Sequence, residues 1–202
     1  MVEFSGSIKI ITLHEPGKLI KMEIFAETER LLLREILPTD EEGLFQLDSD
    51  PEVHRYLGNK PIRDKEQTKE VIQFIRQQYV DNGIGRWAIV DKVTNDFIGW
   101  AGLKFVNKLT NNHVNYYDLG YRLRKNYWGQ GIATESAKAI VTYGFEKLKV
   151  KEMFAMADVE NLKSNHILTK IGFKLVEAFV FDGIKHYWYK MDKIEWLKKS
   201  NP

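Results

Sequence analysis

Two glycines separated by one residue, Gly129 and Gly131, stand where an extended segment gives way to a helix. The residues before them, 115–123, are rich in aromatic and aliphatic side chains and predict a strand, whereas apolar residues recur at helical spacing after them. The first amides of a helix lack intrahelical partners and lie at the positive end of its dipole, and glycine leaves room for an anion to approach them. The junction therefore predicts a turn that binds phosphate.

Other glycine-rich phosphate motifs fit this chain less well. The sequence contains no Gly-x-x-x-x-Gly-Lys-Ser/Thr run. A dinucleotide fingerprint would need a small residue at Thr134 and an acidic residue at the end of a strand about 20 positions later. Glu152 is near that distance but begins a predicted strand. The plain alternative is a glycine turn that only caps the helix.

The run from Asn126 to Glu135 resembles the acetyl-coenzyme A (acetyl-CoA) binding motif of the GNAT superfamily, Gln/Arg-x-x-Gly-x-Gly/Ala, with Asn126 in place of the usual Gln or Arg. Its Tyr-Trp-Gly-Gln-Gly-x-Ala-Thr-Glu form looks like the branch that contains the RimJ and RimL ribosomal-protein acetyltransferases. Three further stretches match this branch in order, within residues 28–53, 97–103 and 161–173. The resemblance covers about residues 26–192.

The resemblance implies an α/β GNAT fold: a mixed, largely antiparallel sheet whose central pair of parallel strands is splayed, flanked by helices. The pantetheine arm of acetyl-CoA would lie between these two strands, with the thioester carbonyl at the backbone amide of Leu123. Asn161 matches an asparagine that hydrogen-bonds the arm, although it could instead only cap a helix. The cofactor contacts implied are Leu123, Trp128, Gly129, Gln130, Gly131, Ile132, Ala133, Thr134 and Asn161.

The proton acceptor is less clearly marked than the cofactor motif. At pH 7 a lysine amine costs about 4–5 kcal/mol to deprotonate and an α-amino group only about 1 kcal/mol, so a base matters more for lysine. Asp118 matches a position that is often acidic in this branch and is the predicted base. The alternative is an acid on the solvent face of the strand, paired with Arg122. Glu135 is expected to steady the loop as an acid in the first helical turn.

The proton donor for the leaving thiolate departs from the usual family pattern. Many GNAT enzymes have a tyrosine four residues before the final Gly-Phe pair, and this chain has Leu168 there. Ser164 is the predicted catalytic substitute, with Tyr187, Tyr189 or water as alternatives, unless the thiolate leaves unassisted.

Composition sets wide limits on the function. The chain of 202 residues suits one domain, and its net charge of +2 gives no case for nucleic acid as a partner. Zero cysteine excludes a disulfide framework and a thiol nucleophile, and the five histidines have no metal-ligand spacing, so no metal is expected. We find no membrane span and no signal peptide in the sequence, and so expect a cytoplasmic protein with no membrane partner.

The elements that must position these residues follow from hydrophobic periodicity. Strands are expected at about 28–37, 86–91, 97–105, 113–123, 152–158, 173–181 and 184–191. Helical segments are expected at about 40–57, 65–82, from the glycines to 147, and at 162–171. The strands at 86–123 should pair antiparallel through short turns, and the strand at 152 should run parallel to the one before the glycines. Asp182-Gly183 should turn the last hairpin.

Residues 1–25 lie outside the resemblance, and residues 26–202 form the predicted acetyltransferase domain. Two β-prone stretches flank Pro16-Gly17, which predicts a hairpin that extends the sheet or reaches a second subunit of a homodimer. An unordered tail is the alternative.

These observations predict an N-acetyltransferase that moves acetyl directly from acetyl-CoA to an amine, with no covalent enzyme intermediate. A protein N-terminal α-amine is one acceptor, and a polyamine, amino sugar or antibiotic is the other. The alternative outside enzymes is a non-catalytic acyl-CoA binding module, because the usual tyrosine is missing and the base is uncertain.

Overall fold

The computed structural model describes residues 22–200. Within this range the strands are β1 (Ile24–Glu27), β2 (Leu31–Arg34), β3 (Arg86–Asp91), β4 (Phe97–Val106), β5 (Tyr116–Leu123), β6 (Glu152–Asp158), β7 (Lys174–Phe181) and β8 (Ile184–Asp192). The helices are α1 (Glu41–Asp48), α2 (Pro51–His54), α3 (Lys65–Asn82), α4 (Ile132–Glu146), α5 (Leu162–Ile171) and α6 (Lys193–Ser200).

The eight strands form one sheet in the order β1-β2-β3-β4-β5-β6-β8-β7. All neighbours are antiparallel except β5 and β6, which are connected through α4 and run parallel. This mixed sheet with flanking helices confirms the predicted α/β fold. The predicted pairing of β3, β4 and β5 and the parallel return of β6 are also confirmed.

The parallel pair is joined over a very short length. Only Asp118 and Phe154 are matched across it, whereas β4 and β5 are matched at eight positions from Gly99–Leu123 to Val106–Tyr116. Beyond Asp118 the two strands therefore diverge towards their carboxyl ends. The cleft that opens there leads to the start of α4.

The sheet separates two layers of helices, because alternate strand residues point to opposite faces. The α4 face carries the larger core, which includes Leu103, Leu119, Ile140 and Phe145. The other face packs against α1 and α3 through a second core that includes Leu44, Leu47, Ile72, Ile75 and Ala88. Even-numbered residues of β5 thus face α1–α3, and odd-numbered ones face α4.

The amino-terminal edge of the described chain belongs to the sheet. Strand β1 pairs with β2, and Phe25 stacks on Trp87 with ring centroids 4.5 Å apart. The predicted boundary between residues 25 and 26 falls inside β1. The rest of the predicted hairpin, with Pro16-Gly17, lies outside the described residues. Among residues 22–200, no helix is long and apolar enough to cross a membrane.

Candidate active site

The glycine turn leads into α4 with the backbone geometry that glycine permits. Gly129 and Gly131 have φ of +75° and +79°, in the left-handed region that side chains disfavour. Gly131 is the N-cap and provides no side-chain cap, while the amide of Glu135 already bonds to its carbonyl. The three amides between them, at residues 132–134, therefore lack intrahelical partners. Space around both glycines is open, with only Arg30 Nη2 within 4 Å of a Cβ built at Gly131.

Side chains on both flanks hold this turn in place. The Trp128 indole donates to the carbonyl of Leu123 at 2.8 Å, and the Gln130 amide donates to the carbonyl of Asn126 at 2.9 Å. Lys163 Nζ, at the start of α5, lies 5.5 Å from the Trp128 ring centroid. The turn thus has a cation on its α5 side, which the sequence reasoning did not single out.

Glu135 anchors the start of α4 to the β1–β2 turn. Arg30 donates to its carboxylate from Nε at 2.8 Å and from Nη2 at 2.5 Å, and Thr28 Oγ1 donates at 2.5 Å. Burial acts to raise the pKa of Glu135, but the hydrogen bonds from Thr28 and Arg30 and the Arg30 charge together hold it below its ordinary value. The expected steadying role is matched by these contacts.

A row of backbone amides lines the β5 side of the cleft. Arg124 donates its amide to Ile98 of β4, so the alternation of an antiparallel ladder turns the amides of Leu123, Tyr121 and Leu119 the other way, towards β6. The Leu119 amide belongs to the bridge that pairs Asp118 with Phe154, which leaves Leu123, nearest the α4 turn, and Tyr121 to line the cleft. An arm entering from the turn would meet Leu123 first and end near Asp118.

The opposite wall of the cleft is formed by the start of α5. Asn161 Oδ1 accepts from the Ser164 amide at 3.1 Å, so Asn161 does cap the helix. Ser164 Oγ and Tyr121 Oη are 3.0 Å apart. Burial raises the pKa of Tyr121 to about 12, although the hydrogen bond with Ser164 opposes the shift. Tyr121 therefore stays a neutral phenol near pH 7, able to support Ser164 as a proton donor.

Asp118 is not a solvent-exposed acid. Its residue is 8% exposed on the α1–α3 face, and Oδ2 accepts from Arg86 Nη2 at 2.5 Å. The pairing with Arg122 considered above is wrong, because four residues along a strand span about 13 Å. Among described residues, none donates a hydrogen bond to Asp118 Oδ1, which leaves that atom for another partner.

Arg86 reaches Asp118 across a trough made by two glycines. It starts on β3 and crosses β4 and β5 at Gly102 and Gly120, which are opposite each other. Its Nη1 donates to the carbonyls of Gly102 at 2.5 Å and Asp118 at 2.7 Å. A Cβ at Gly120 would lie 2.8 Å from Arg86 Nη2. Only a residue without a side chain permits this path.

A second ion pair ties the helices to β5. Arg122 Nη1 donates to Asp48 Oδ1 of α1 at 2.5 Å, and His54 Nε2 of α2 lies 3.6 Å from the same oxygen. Burial acts to raise the pKa of Asp48, but the contact with His54 and the charge of Arg122 hold it below its ordinary value. Both arginines, Arg86 and Arg122, also lie about 5 Å from the Trp100 ring centroid, at 5.2 and 5.1 Å.

The remaining candidates are placed as follows. Leu168 is buried in the core, 2% exposed. Tyr189 donates to Asn165 Oδ1 at 2.9 Å on the α5 side of the sheet, and Tyr187 lies beside it with ring centroids 6.3 Å apart. Across the described part of the chain, no three His, Asp or Glu side chains form a group that could hold a metal ion.

Residues 30–174 match the family described as the acetyltransferase (GNAT) domain. The chain belongs to this family. It is 33% identical over 147 residues, covering 73% of this chain and 80% of the relative, to an uncharacterized N-acetyltransferase p20 of Bacillus licheniformis. The GNAT assignment makes the protein an N-acetyltransferase, in a family that uses acetyl-CoA.

Two solved structures are similar in fold. One is RimL, a ribosomal L7/L12 α-N-protein acetyltransferase, with a TM-score of 0.71 and 18% identity over 91% of this chain and 99% of that one. The other is a spermidine N-acetyltransferase from Vibrio cholerae in complex with CoA and spermine, with a TM-score of 0.69 and 18% identity over 84% and 99%. At these identities the likeness concerns the fold.

The GNAT domain contains functional candidates that sequence reasoning missed. Arg86 and Lys163 were not singled out, nor was the Asp48–His54 contact. For Arg86 a signal was present, since two glycines in adjacent predicted strands indicate a close approach of another group.

Proposed function

We propose that this GNAT protein transfers the acetyl group of acetyl-CoA directly to a primary amine, and that an α-amino group is its preferred acceptor. The observation that carries the proposal is the cleft between β5 and β6. It starts at the single matched pair Asp118 and Phe154 and widens towards an uncapped helix start. An extended ligand arm with phosphates at one end would fit this cleft, because the arm can pair with the strand backbone and the phosphates can bind the free amides of the helix start.

The residues of the cleft fit acetyl-CoA from one end to the other. The amides at residues 132–134 suit the pyrophosphate, and the amides of Leu123 and Tyr121 suit an added strand. When bound, acetyl-CoA supplies an activated acyl group and a thiol leaving group. In the proposal, one of the cleft amides stabilises the oxyanion, with Leu123 as the amide predicted from sequence, and Asn161 keeps its amide nitrogen for the arm.

The two proton transfers of the reaction are assigned to residues on opposite faces of the sheet. Asp118 Oδ1, free of hydrogen bonds from described residues, receives the amine proton on the α1–α3 face. Ser164, held by Tyr121, donates to the leaving thiolate on the α5 side. The serine thereby takes the place of the tyrosine that Leu168 replaces.

The surroundings of Asp118 favour an acceptor that needs little help from a base. Arg86 occupies Asp118 Oδ2, so one carboxylate oxygen is left to receive the amine proton. An α-amine needs about 1 kcal/mol for deprotonation at pH 7, against about 4–5 kcal/mol for a lysine-like amine. The fold likeness to RimL, which acts on a protein α-amine, supports a RimJ/RimL-type acceptor.

The second candidate is a polyamine acceptor, which the fold likeness to the spermidine enzyme supports. A third is a module that binds acetyl-CoA without turnover. Steady-state release of free thiol separates the three. We expect release with α-amines of peptides or amino acids to exceed that with spermidine, whereas background release with every amine would overturn the proposed reaction.

Cofactor binding has its own test, in a matched pair of glycine variants. Gly131→Val puts a branched side chain where the pyrophosphate approaches and should weaken acetyl-CoA binding at least tenfold, or about 1.4 kcal/mol. Gly183→Val is the control, because Gly183 has φ of +77° and open surroundings in the β7–β8 turn. Both variants carry similar backbone strain, about 1–2 kcal/mol. Equal dissociation constants by calorimetry for both folded variants would contradict the assignment of this turn to phosphate.

A further inference from the structure

Lys104 lies beside the predicted base and has no counter-ion among the residues that the structure describes. It is directly opposite Asp118 in the antiparallel β4–β5 ladder, and both side chains are on the α1–α3 face. Opposite charges in such a cross-strand position normally pair. Here they do not form an ion pair, and Asp118 Oδ2 is bound by Arg86 instead. Within residues 22–199, no carboxylate lies within 4.0 Å of Lys104 Nζ.

The other charges that strands β3–β5 place on this face are paired. These three strands place four charged side chains on it: Arg86, Lys104, Asp118 and Arg122. Arg86 pairs with Asp118, and Arg122 pairs with Asp48 of α1. Of these four side chains, Lys104 alone has no ion-pair partner within the described part of the chain. The loop that follows, residues 107–115, contains Lys108 and no acidic residue.

Partial burial makes the missing counter-ion matter. Burial lowers the pKa of Lys104, the charge of Arg86 lowers it further, and Asp118 acts in the opposite direction. That sign is expected of a cation withdrawn from water without a close anion. An anion would be attracted more strongly to Lys104 than to an exposed lysine, because partly buried surroundings screen the interaction between the two charges less than water does.

The position of Lys104 matches the acceptor end of the cleft. The cleft amides run from Leu123, near the phosphate turn, to Tyr121, and the cleft closes at the bridge of Asp118 with Phe154, beside Lys104. An amine that gives its proton to Asp118 would have its substituents within reach of the Lys104 side chain. Aromatic side chains of Tyr116 and Phe154 border the same region.

We propose that Lys104 binds an anionic group of the acceptor, so that the substrates are primary amines that carry a carboxylate or phosphate close to the nitrogen. The proposal rests on the proposed acetyl transfer. It selects against polyamines, whose extra positive charges Lys104 repels. The anion can be the carboxylate of a free amino acid, an acidic side chain that follows a peptide N-terminus, or a sugar phosphate.

Matched pairs of amines test the proposal and identify the source of the anion. Thiol release is measured for alanine and alaninamide, for peptides that begin Ala-Asp and Ala-Asn, and for glucosamine 6-phosphate and glucosamine. We expect the wild type to prefer the anionic member of at least one pair. Lys104→Gln should raise its KM about tenfold or more with little change in kcat, because a hydrogen bond to a charged group is lost. The neutral member should be unaffected.

Two further variants complete the design. Lys138→Gln, on the exposed outer side of α4, removes the same charge away from this face and should leave both members unchanged. Lys104→Glu should reverse the preference towards spermidine. A wild type without preference in any pair, or a preference that survives Lys104→Gln, would overturn the role of Lys104 while leaving acetyl transfer in place. Absence of turnover with every amine would instead overturn the reaction on which the role depends.

Discussion

Replacing Gly120 by alanine should displace the Arg86 guanidinium without removing any charge. The new Cβ would lie 2.8 Å from Nη2, 2.9 Å from Cζ and 3.1 Å from Nη1 of Arg86. Gly120 does not have positive φ, so alanine suits the backbone and the guanidinium is the group that must move. Arg86 cannot move freely, since it is held by Asp118 and by the Gly102 carbonyl.

The size of the effect follows from these contacts. A hydrogen bond that involves a charged group contributes about 1.5–3 kcal/mol, and overpacking a tight site costs about 1–3 kcal/mol. Replacing glycine by alanine also reduces the conformational entropy of the unfolded chain, which stabilises the folded protein by about 0.4–1 kcal/mol. If the site relieves the overlap by giving up one of the three Arg86 bonds, Gly120→Ala should lower the free energy of unfolding by about 0.5–2.5 kcal/mol.

Urea unfolding measures this loss of stability, and a double-mutant cycle tests whether it arises from the contact between the new methyl group and Arg86. The second background carries Arg86→Met and Asp118→Asn together, which avoids leaving one buried charge unpaired. In that background the added methyl no longer meets a pinned guanidinium, and the cost of Gly120→Ala should fall below about 0.5 kcal/mol. An equal cost in both backgrounds, or no cost in the wild type, would refute the claim that this glycine sets the path of Arg86.

Two other substitutions probe the charges of the same face. Asp118→Asn should lower turnover by ~10² or more with cofactor affinity unchanged. The difference in turnover between variant and wild type should narrow as the pH approaches the pKa of the amine, because the amine then loses its proton to the solvent. Equal turnover of the two proteins from pH 6 to 9 would exclude Asp118 as the base. Asp48→Asn should cost about 1.5–3 kcal/mol of stability by losing its bond from Arg122. Folding lowers the pKa of Asp48 from 3.8, so the difference in stability between wild type and variant should have its full size above pH 3.8 and decrease as the pH falls below that value. A stability difference that persists in strong acid would contradict the ion-pair explanation.

Much of the fold could be predicted because long elements carry strong periodicity. The bounds of α3, α5, β3 and β6 agree with the predicted segments, and the turn at Asp182-Gly183 has the two positive φ values of a tight hairpin, 49° and 77°. Two short elements were missed. Strand β1 was assigned to the amino-terminal hairpin, and α6 has only eight residues at the end of the chain.

The cofactor side of the site was easier to predict than the acceptor side for a physical reason. Phosphate binding uses backbone amides of one local turn, so Gly129 and Gly131 reveal it in the sequence itself. The partner of Asp118 depends on the register of three strands, since Arg86 is 32 residues away along the chain. Arg122 is close in sequence but its side chain reaches α1 instead, because strand geometry separates it from Asp118.

The charge at the acceptor end of the cleft therefore depends on which cation pairs with Asp118. Arg86 and Lys104 both lie within reach of the region around this carboxylate, and the Gly102–Gly120 trough gives it to Arg86. A larger residue at Gly120 would force the Arg86 guanidinium back and leave Asp118 to its cross-strand neighbour Lys104, whereas a side chain at Gly102 would meet the backbone of residues 85–87 instead. Such a chain would keep the cleft and the phosphate turn, yet lose the uncompensated charge that we assign to the acceptor. Gly120 would then control acceptor preference without touching the substrate.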